Sequence, residues 1–287
     1  MERISELKIQ WSLANQCNLR CGYCHPELYK GDNPFPELEK LTKAFDNLNL
    51  LSESYDNIIL EITGGEPTYS QNLQLIIARN TNPKIKYQLV SNGYADISWW
   101  SAIKNKLSQI QLTYHNGTDF DHFFEVVQEL KNLNPTILIP ISPDNWNKQI
   151  TVYETLKPFN FDLQLQFLYS NFTRGNNHYL NYSKEQWDFY YFTRGIVRQE
   201  EVVKTVEFKR QHNLNNFYGH MCWAGLEQIV INQLGDVYRG WCFGTRFGNI
   251  YTDSIKIFNG PRPCPKLQCT NGFDLQAHKS EGSWGMA

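Results

Sequence analysis

The sequence has almost no net charge, no long apolar run and no internal repeat. Lys and Arg number 27 against 29 Asp and Glu over 287 residues, a balance that gives no electrostatic reason to expect nucleic acid as a partner. The longest apolar stretches, Ile58-Ile59-Leu60 and residues 137–141, fall far short of the ~20 residues needed to cross a bilayer, so no membrane span is expected. Glu2, Arg3, Glu6 and Lys8 stand where a secretory signal would carry an apolar run, and the expected location is cytoplasmic. Hydrophobic residues still make up 41% of the chain, enough to bury a real core. The seven cysteines then need a role, because structural disulfides are rare in reducing compartments.

Short β-rich runs alternate with longer helical patterns through the first part of the chain, the signature of βα units and a parallel sheet. Strands are expected over 7–13, 57–63, 86–91, 109–114, 136–141 and 162–168, and helices over 37–50, 72–80, 98–107, 120–133 and 148–156. The clearest helix repeats Phe120, Phe123, Phe124, Val127, Leu130 and Leu133 at three-or-four spacing. The texture then changes. Residues 171–219 read as a linker rich in Asn, Tyr, Phe and Trp, in which Ser183 and Gln186 form a capping-box spacing ahead of a helix. A β-hairpin is expected around Gln233-Leu234-Gly235-Asp236. The expected division is a barrel over 1–170, the linker, and a smaller α+β extension over 220–287.

Three cysteines follow the first strand in Cys17-Asn18-Leu19-Arg20-Cys21-Gly22-Tyr23-Cys24. Thiolates converging from one short loop suit an iron–sulfur cluster, and three of them leave one iron of a four-iron cluster open. Zinc and plain packing are the alternatives. This CxxxCxxC pattern with its aromatic Tyr23 resembles the signature of the radical S-adenosylmethionine (radical SAM) superfamily. Gly64-Gly65-Glu66-Pro67, at the end of the second strand, resembles the segment by which that family binds the amino group of SAM. Paired glycines also let a ligand approach backbone unobstructed.

What the resemblance implies is a partial (β/α)6 TIM barrel with a SAM-binding [4Fe–4S] cluster on Cys17, Cys21 and Cys24. Reductive cleavage of SAM would give a 5′-deoxyadenosyl radical that abstracts a substrate hydrogen. Tyr23, Gly64, Gly65, Glu66, Ser91, Asn92, His115 and Gln166 are the implied SAM-side residues. Ser91-Asn92-Gly93 resembles the turn often found after the third strand, and His115 follows the fourth. Gln164 and Gln166 share one face of the sixth strand by its two-residue period. The family's usual glycine-rich pattern is missing from residues 136–143. No residue stands out as a general base.

The other cysteines, Cys222, Cys242, Cys264 and Cys269, lie beyond the barrel. Four ligands suit zinc or a second iron–sulfur cluster equally. Cys222-Trp223-Ala224-Gly225, the hairpin, Trp241-Cys242 and Gly248-Asn249-Ile250-Tyr251 resemble the twitch and SPASM extensions of radical SAM enzymes. That resemblance implies one auxiliary [4Fe–4S] cluster. The spacing from Cys264 to Cys269 is longer than in relatives, which leaves His220 as a substitute ligand. A closed auxiliary cluster favours net oxidation, such as dehydrogenation or crosslinking of a peptide or small metabolite. An epimerase or rearrangement enzyme is the alternative, and a non-catalytic zinc or iron–sulfur protein the reading from another class. The implied partners are an electron donor such as flavodoxin or ferredoxin and, for a peptide substrate, a separate leader-peptide-binding protein. Residues 172–192, with Arg174 and Tyr179, are expected either to roof the substrate or to pack between barrel and extension.

Overall fold

A computed structural model describes residues 4–169, 179–196 and 198–280. Six βα units come first: β1 (Glu6–Ser12), α1 (Leu38–Leu51), β2 (Asn57–Thr63), α2 (Gln71–Arg79), β3 (Ile85–Ser91), α3 (Ile97–Ile103), β4 (Leu107–Thr113), α4 (Phe120–Glu129), β5 (Thr136–Ile141), α5 (Trp146–Leu156) and β6 (Asp162–Phe167). The six strands pair in parallel in chain order, giving the wall of a partial TIM barrel. The expected helix over 98–107 is too long at its C-terminal end. It stops at Ile103, a short 3-10 turn follows, and Leu107 opens β4.

Strands β1, β2 and β3 alternate. Leu7, Ile9 and Trp11 of β1 and Ile58, Leu60 and Ile62 of β2 are fully buried in one core that also holds Leu41, Phe45 and Leu48 of α1. The opposite, inner face of the same strands is polar, with Lys8, Gln10, Glu61 and Gln88 in the intervening positions. Burial of a helix-facing apolar stripe therefore fixes the register, because a slip by one residue would turn glutamines into the core.

Helices α6 (Lys184–Thr193), α7 (Gln199–Val202) and α8 (Val206–Gln211) follow, then β7 (Met221–Cys222), β8 (Gln228–Ile231), β9 (Asp236–Tyr238), β10 (Arg246–Asn249), β11 (Arg262–Pro263), α9 (Gly272–Gln276) and β12 (Lys279–Ser280). Ser183 caps α6 in a capping box with Gln186. The hairpin does not stand apart from the barrel: β8 pairs in parallel with β1, and β9 and β10 continue the same nine-stranded sheet. β1 would otherwise present an unpaired edge. Strands β11, β7 and β12 form a separate small sheet.

Aromatic packing closes the end of the barrel at β6. Phe167 stacks on Tyr182 at 3.8 Å and meets Tyr190 of α6 at 4.3 Å between ring centroids. Tyr179 stacks on Tyr169 with their hydroxyls 3.1 Å apart. Arg174 and its neighbours over 170–178 lie outside the described residues. Among the described residues no helix is long and apolar enough to cross a membrane.

Candidate functional site at the two ends of the barrel

Because β1 to β4 run parallel, the segments that follow them gather at one end. The Cys17–Cys24 loop leaves β1, Gly64–Pro67 leaves β2, Ser91–Gly93 ends β3 and His115 follows β4. In barrels of parallel strands this C-terminal end is where active sites form.

Glu66 ties the first three together. Its carboxylate is 1% exposed and accepts four hydrogen bonds. Thr68 N–H donates to Oε1 at 3.0 Å and Thr68 Oγ1 at 2.7 Å, Ser91 Oγ donates to Oε1 at 2.7 Å, and Asn92 N–H donates to Oε2 at 2.7 Å. Burial raises its pKa against these four donors, each of which lowers it. Glu66 and Ser91 thus face each other as a buried brace between strand ends. Asn92 carries the connection onward, with Nδ2 donating to Asn18 Oδ1 at 2.7 Å and lying 3.9 Å from Cys17 Sγ.

The two glycines have a reason besides ligand approach. Both hold positive φ, +91° at Gly64 and +55° at Gly65. A Cβ on Gly64 would sit 2.9 Å from the Ala14 carbonyl oxygen, and one on Gly65 would collide with the Gln16 carbonyl. The same Gln16 carbonyl accepts from Glu66 N–H at 2.8 Å. The bare side of the pair therefore faces the backbone just ahead of Cys17.

Asn15 was not singled out from the sequence, yet it closes the cysteine loop. Fully buried, it donates through Nδ2 to Asp32 Oδ1 at 2.6 Å and to the Glu27 carbonyl at 3.1 Å, and accepts from Asn33 N–H at 2.8 Å. A lone Asn before a cysteine motif carries no periodic signal that would have revealed it.

Burial pushes the thiols of Cys17 and Cys24 up to about 11, helped by the charges of Glu66 and Cys21 at Cys17 and of Cys21 and Cys17 at Cys24. Cys21 is raised for the same first reason. Three mutually repelling thiolates need a cationic centre, and binding one would release protons. Tyr23 bonds through its hydroxyl to His115 Nδ1 at 2.5 Å, and burial lowers the His115 pKa to about 4. A neutral imidazole hydrogen-bonded to the phenol follows. Gln166 lies on the inner face of β6, solvent-exposed and apart from this network.

The second group of cysteines lies at the other end. β9 runs antiparallel to β8 and so toward the N-terminal end of β1, and Cys242 follows it. Cys222 precedes β8 and pairs with Arg262 and Lys279 in the small sheet. Cys222, Cys242, Cys264 and Cys269 line one small cavity with Arg239 and Asp274, and His220 does not. The His220 ring instead meets Phe217 edge-on. Asp274 accepts from Trp241 N–H at 2.9 Å and Cys242 N–H at 2.7 Å, fixing that turn. Burial pushes Cys242 up to about 11, with Asp274 adding to it, and Cys269 up to about 12. Among the described residues no group of three or more His, Cys, Asp or Glu converges as ligands of a single ion.

Both donor sets fit iron–sulfur chemistry, in which each thiolate goes to a different iron. The fold has solved counterparts. A structure described as native anSMEcpe with bound AdoMet is 22% identical, with a TM-score of 0.53, and the match covers 87% of this chain and 79% of that one. SuiB of Streptococcus suis, 14% identical with a TM-score of 0.55, is matched over 87% of this chain and 64% of its own, and a second SuiB structure is bound to S-adenosylmethionine. No curated protein matches the chain in sequence. The sequence profile of the Radical SAM superfamily, however, matches residues 11–162, more than half of the chain, and the protein belongs to that superfamily.

Proposed function

We propose that this radical SAM enzyme carries a second, auxiliary [4Fe–4S] cluster on Cys222, Cys242, Cys264 and Cys269 and performs a net oxidation of a peptide or small metabolite. With both clusters and SAM bound, the cofactors supply a 5′-deoxyadenosyl radical for hydrogen abstraction and an acceptor for one further electron. The chain's own residues have separable tasks. Cys17, Cys21 and Cys24 would hold the SAM-binding cluster and leave one iron for SAM. Gly64 and Gly65 bring the second strand end against the cluster loop, and Glu66, Ser91 and Asn92 lock that junction. Tyr23 and His115 form one wall of the mouth.

The observation that carries the reading is the gathering of four thiols from separate segments around one cavity at the opposite end of the barrel from the first three. A substrate in the barrel then has a radical source on one side and an electron acceptor on the other. Four thiols on a four-iron cluster leave no iron open for substrate, which supports an electron-transfer role for this cluster. Anaerobic reconstitution should give about eight irons per chain. Replacing the four auxiliary cysteines by Ala should bring this to about four while dithionite-driven 5′-deoxyadenosine formation persists. An unchanged iron count would contradict the auxiliary cluster.

A further inference from the structure

The inner face of the barrel carries a row of hydrogen-bonding side chains across four strands. Gln10 of β1, Glu61 of β2, Gln88 of β3 and Gln109 of β4 stand opposite one another in register. Gln10 Nε2 donates to Glu61 Oε1, and Gln88 Nε2 donates to Gln109 Oε1 at 2.9 Å. From the auxiliary end, Trp241 Nε1 donates to Gln10 Oε1. That bond fixes which way the Gln10 amide points, and so holds its N–H on Glu61. Trp241 directly precedes Cys242.

We propose that Glu61 is the proton acceptor of the oxidation, and that Trp241 positions it through Gln10. The inference rests on the net oxidation proposed above and specifies its substrate chemistry: a carbon bearing both hydrogen and an O–H or N–H. Removal of the C–H hydrogen atom leaves a carbon radical. Transfer of the O–H or N–H proton to Glu61 and of one electron to the auxiliary iron–sulfur cluster completes the C=O or C=N bond. One hydrogen atom, one proton and one electron leave, which together make two hydrogens.

Three observations single out Glu61. It lies on β2 three residues before Gly64, which follows that strand, about 10 Å below the SAM end at ~3.3 Å per residue. Its Oε2 takes no hydrogen bond from a described residue. A second inner-face carboxylate, Asp162, is engaged by Thr136 Oγ1 at 2.7 Å and Gln164 Nε2 at 3.1 Å. Burial raises the Glu61 pKa against the Gln10 hydrogen bond that lowers it, which suits a group that must take a proton. The charged groups facing it are Lys8 and Lys86, one step down the same face on β1 and β3, Glu6 one step further down β1, Asp162 across on β6, and Asp274 behind Trp241.

Infrared titration of the holoprotein tests this without turnover. The protonated-carboxyl band present in the wild type and absent in Glu61→Gln should have its midpoint above the ordinary glutamate value of about 4.3. Trp241→Phe should move that midpoint up by about 0.5–1 unit, because the donor on Glu61 is no longer held. Gln10→Leu removes the same donor without touching the auxiliary loop, and should shift it at least as far. A midpoint that stays put in both variants overturns the positioning. A spectrum in which Glu61→Gln removes no titrating band above the ordinary value overturns the proton acceptor. Absence of 5′-deoxyadenosine from wild-type holoprotein is a separate failure, that of the SAM reading, and leaves the titration unaffected.

Discussion

Tyr23 and His115 are joined by a hydrogen bond of 2.5 Å, from the hydroxyl to Nδ1, between residues 92 positions apart. The two rings also lie nearly parallel, 6.0 Å between centroids. The contact docks the cysteine loop against the end of β4, where burial keeps the imidazole neutral.

Burial of this imidazole has a pH consequence. The folded-state pKa of His115 is lowered to about 4 by burial, below the ~6.5 of an unfolded chain. Between these values the unfolded state binds more protons, so stability rises with pH. The contribution is fully present above about 6.5 and is lost as pH falls toward 4. Thermal unfolding of reduced apoprotein at pH 7 and pH 5 should show a lower Tm in acid, with a smaller loss in His115→Asn.

Replacing Glu66 by Gln puts an amide N–H where the carboxylate accepts. The amide can satisfy only part of the donor set of Thr68, Ser91 and Asn92. Leaving a buried donor unpaired costs roughly 1–3 kcal/mol. Urea unfolding of Glu66→Gln should show a loss of that size. A change below about 0.5 kcal/mol would mean that Glu66 is no brace.

Gly65→Ala meets two obstacles, a left-handed backbone that costs an L-residue about 1–2 kcal/mol and the Gln16 carbonyl in the path of its Cβ. The backbone ahead of Cys17 must move to relieve the second. Reconstituted Gly65→Ala should keep its far-ultraviolet circular dichroism and lose iron at the first cluster only. Iron retained at the wild-type level would show that the junction tolerates a methyl group.

The sequence made the local features legible. Cys17, Cys21 and Cys24 share one short loop, and Gly64–Pro67 is contiguous, so both motifs are visible before any folding. The alternation in β1 and β2 placed those strands to within about a residue, because burial against helices writes a two-residue period into the chain. The Glu66 brace and the Gln10–Glu61–Gln88–Gln109 row were hidden, since they depend on register between strands far apart in sequence. The pairing of β8 with β1 was hidden for the same reason. Parallel pairing across more than 200 residues leaves no local pattern, and the extension reads as separate although its hairpin belongs to the barrel sheet. Cys269, despite its spacing from Cys264, is held by Asn215: the Cys269 N–H donates to the Asn215 carbonyl at 2.9 Å, and Asn215 Nδ2 donates to the Cys269 carbonyl at 2.9 Å.

The central claim is that Cys17, Cys21 and Cys24 hold the cluster that cleaves SAM. Its most direct measurement is 5′-deoxyadenosine formed from SAM by anaerobically reconstituted, dithionite-reduced protein, comparing wild type with the variant in which these three cysteines are Ala. The account predicts formation in the wild type, none in the triple variant, and a fall in bound iron by about half as one of two four-iron clusters is lost. Formation that persists in the triple variant would contradict it.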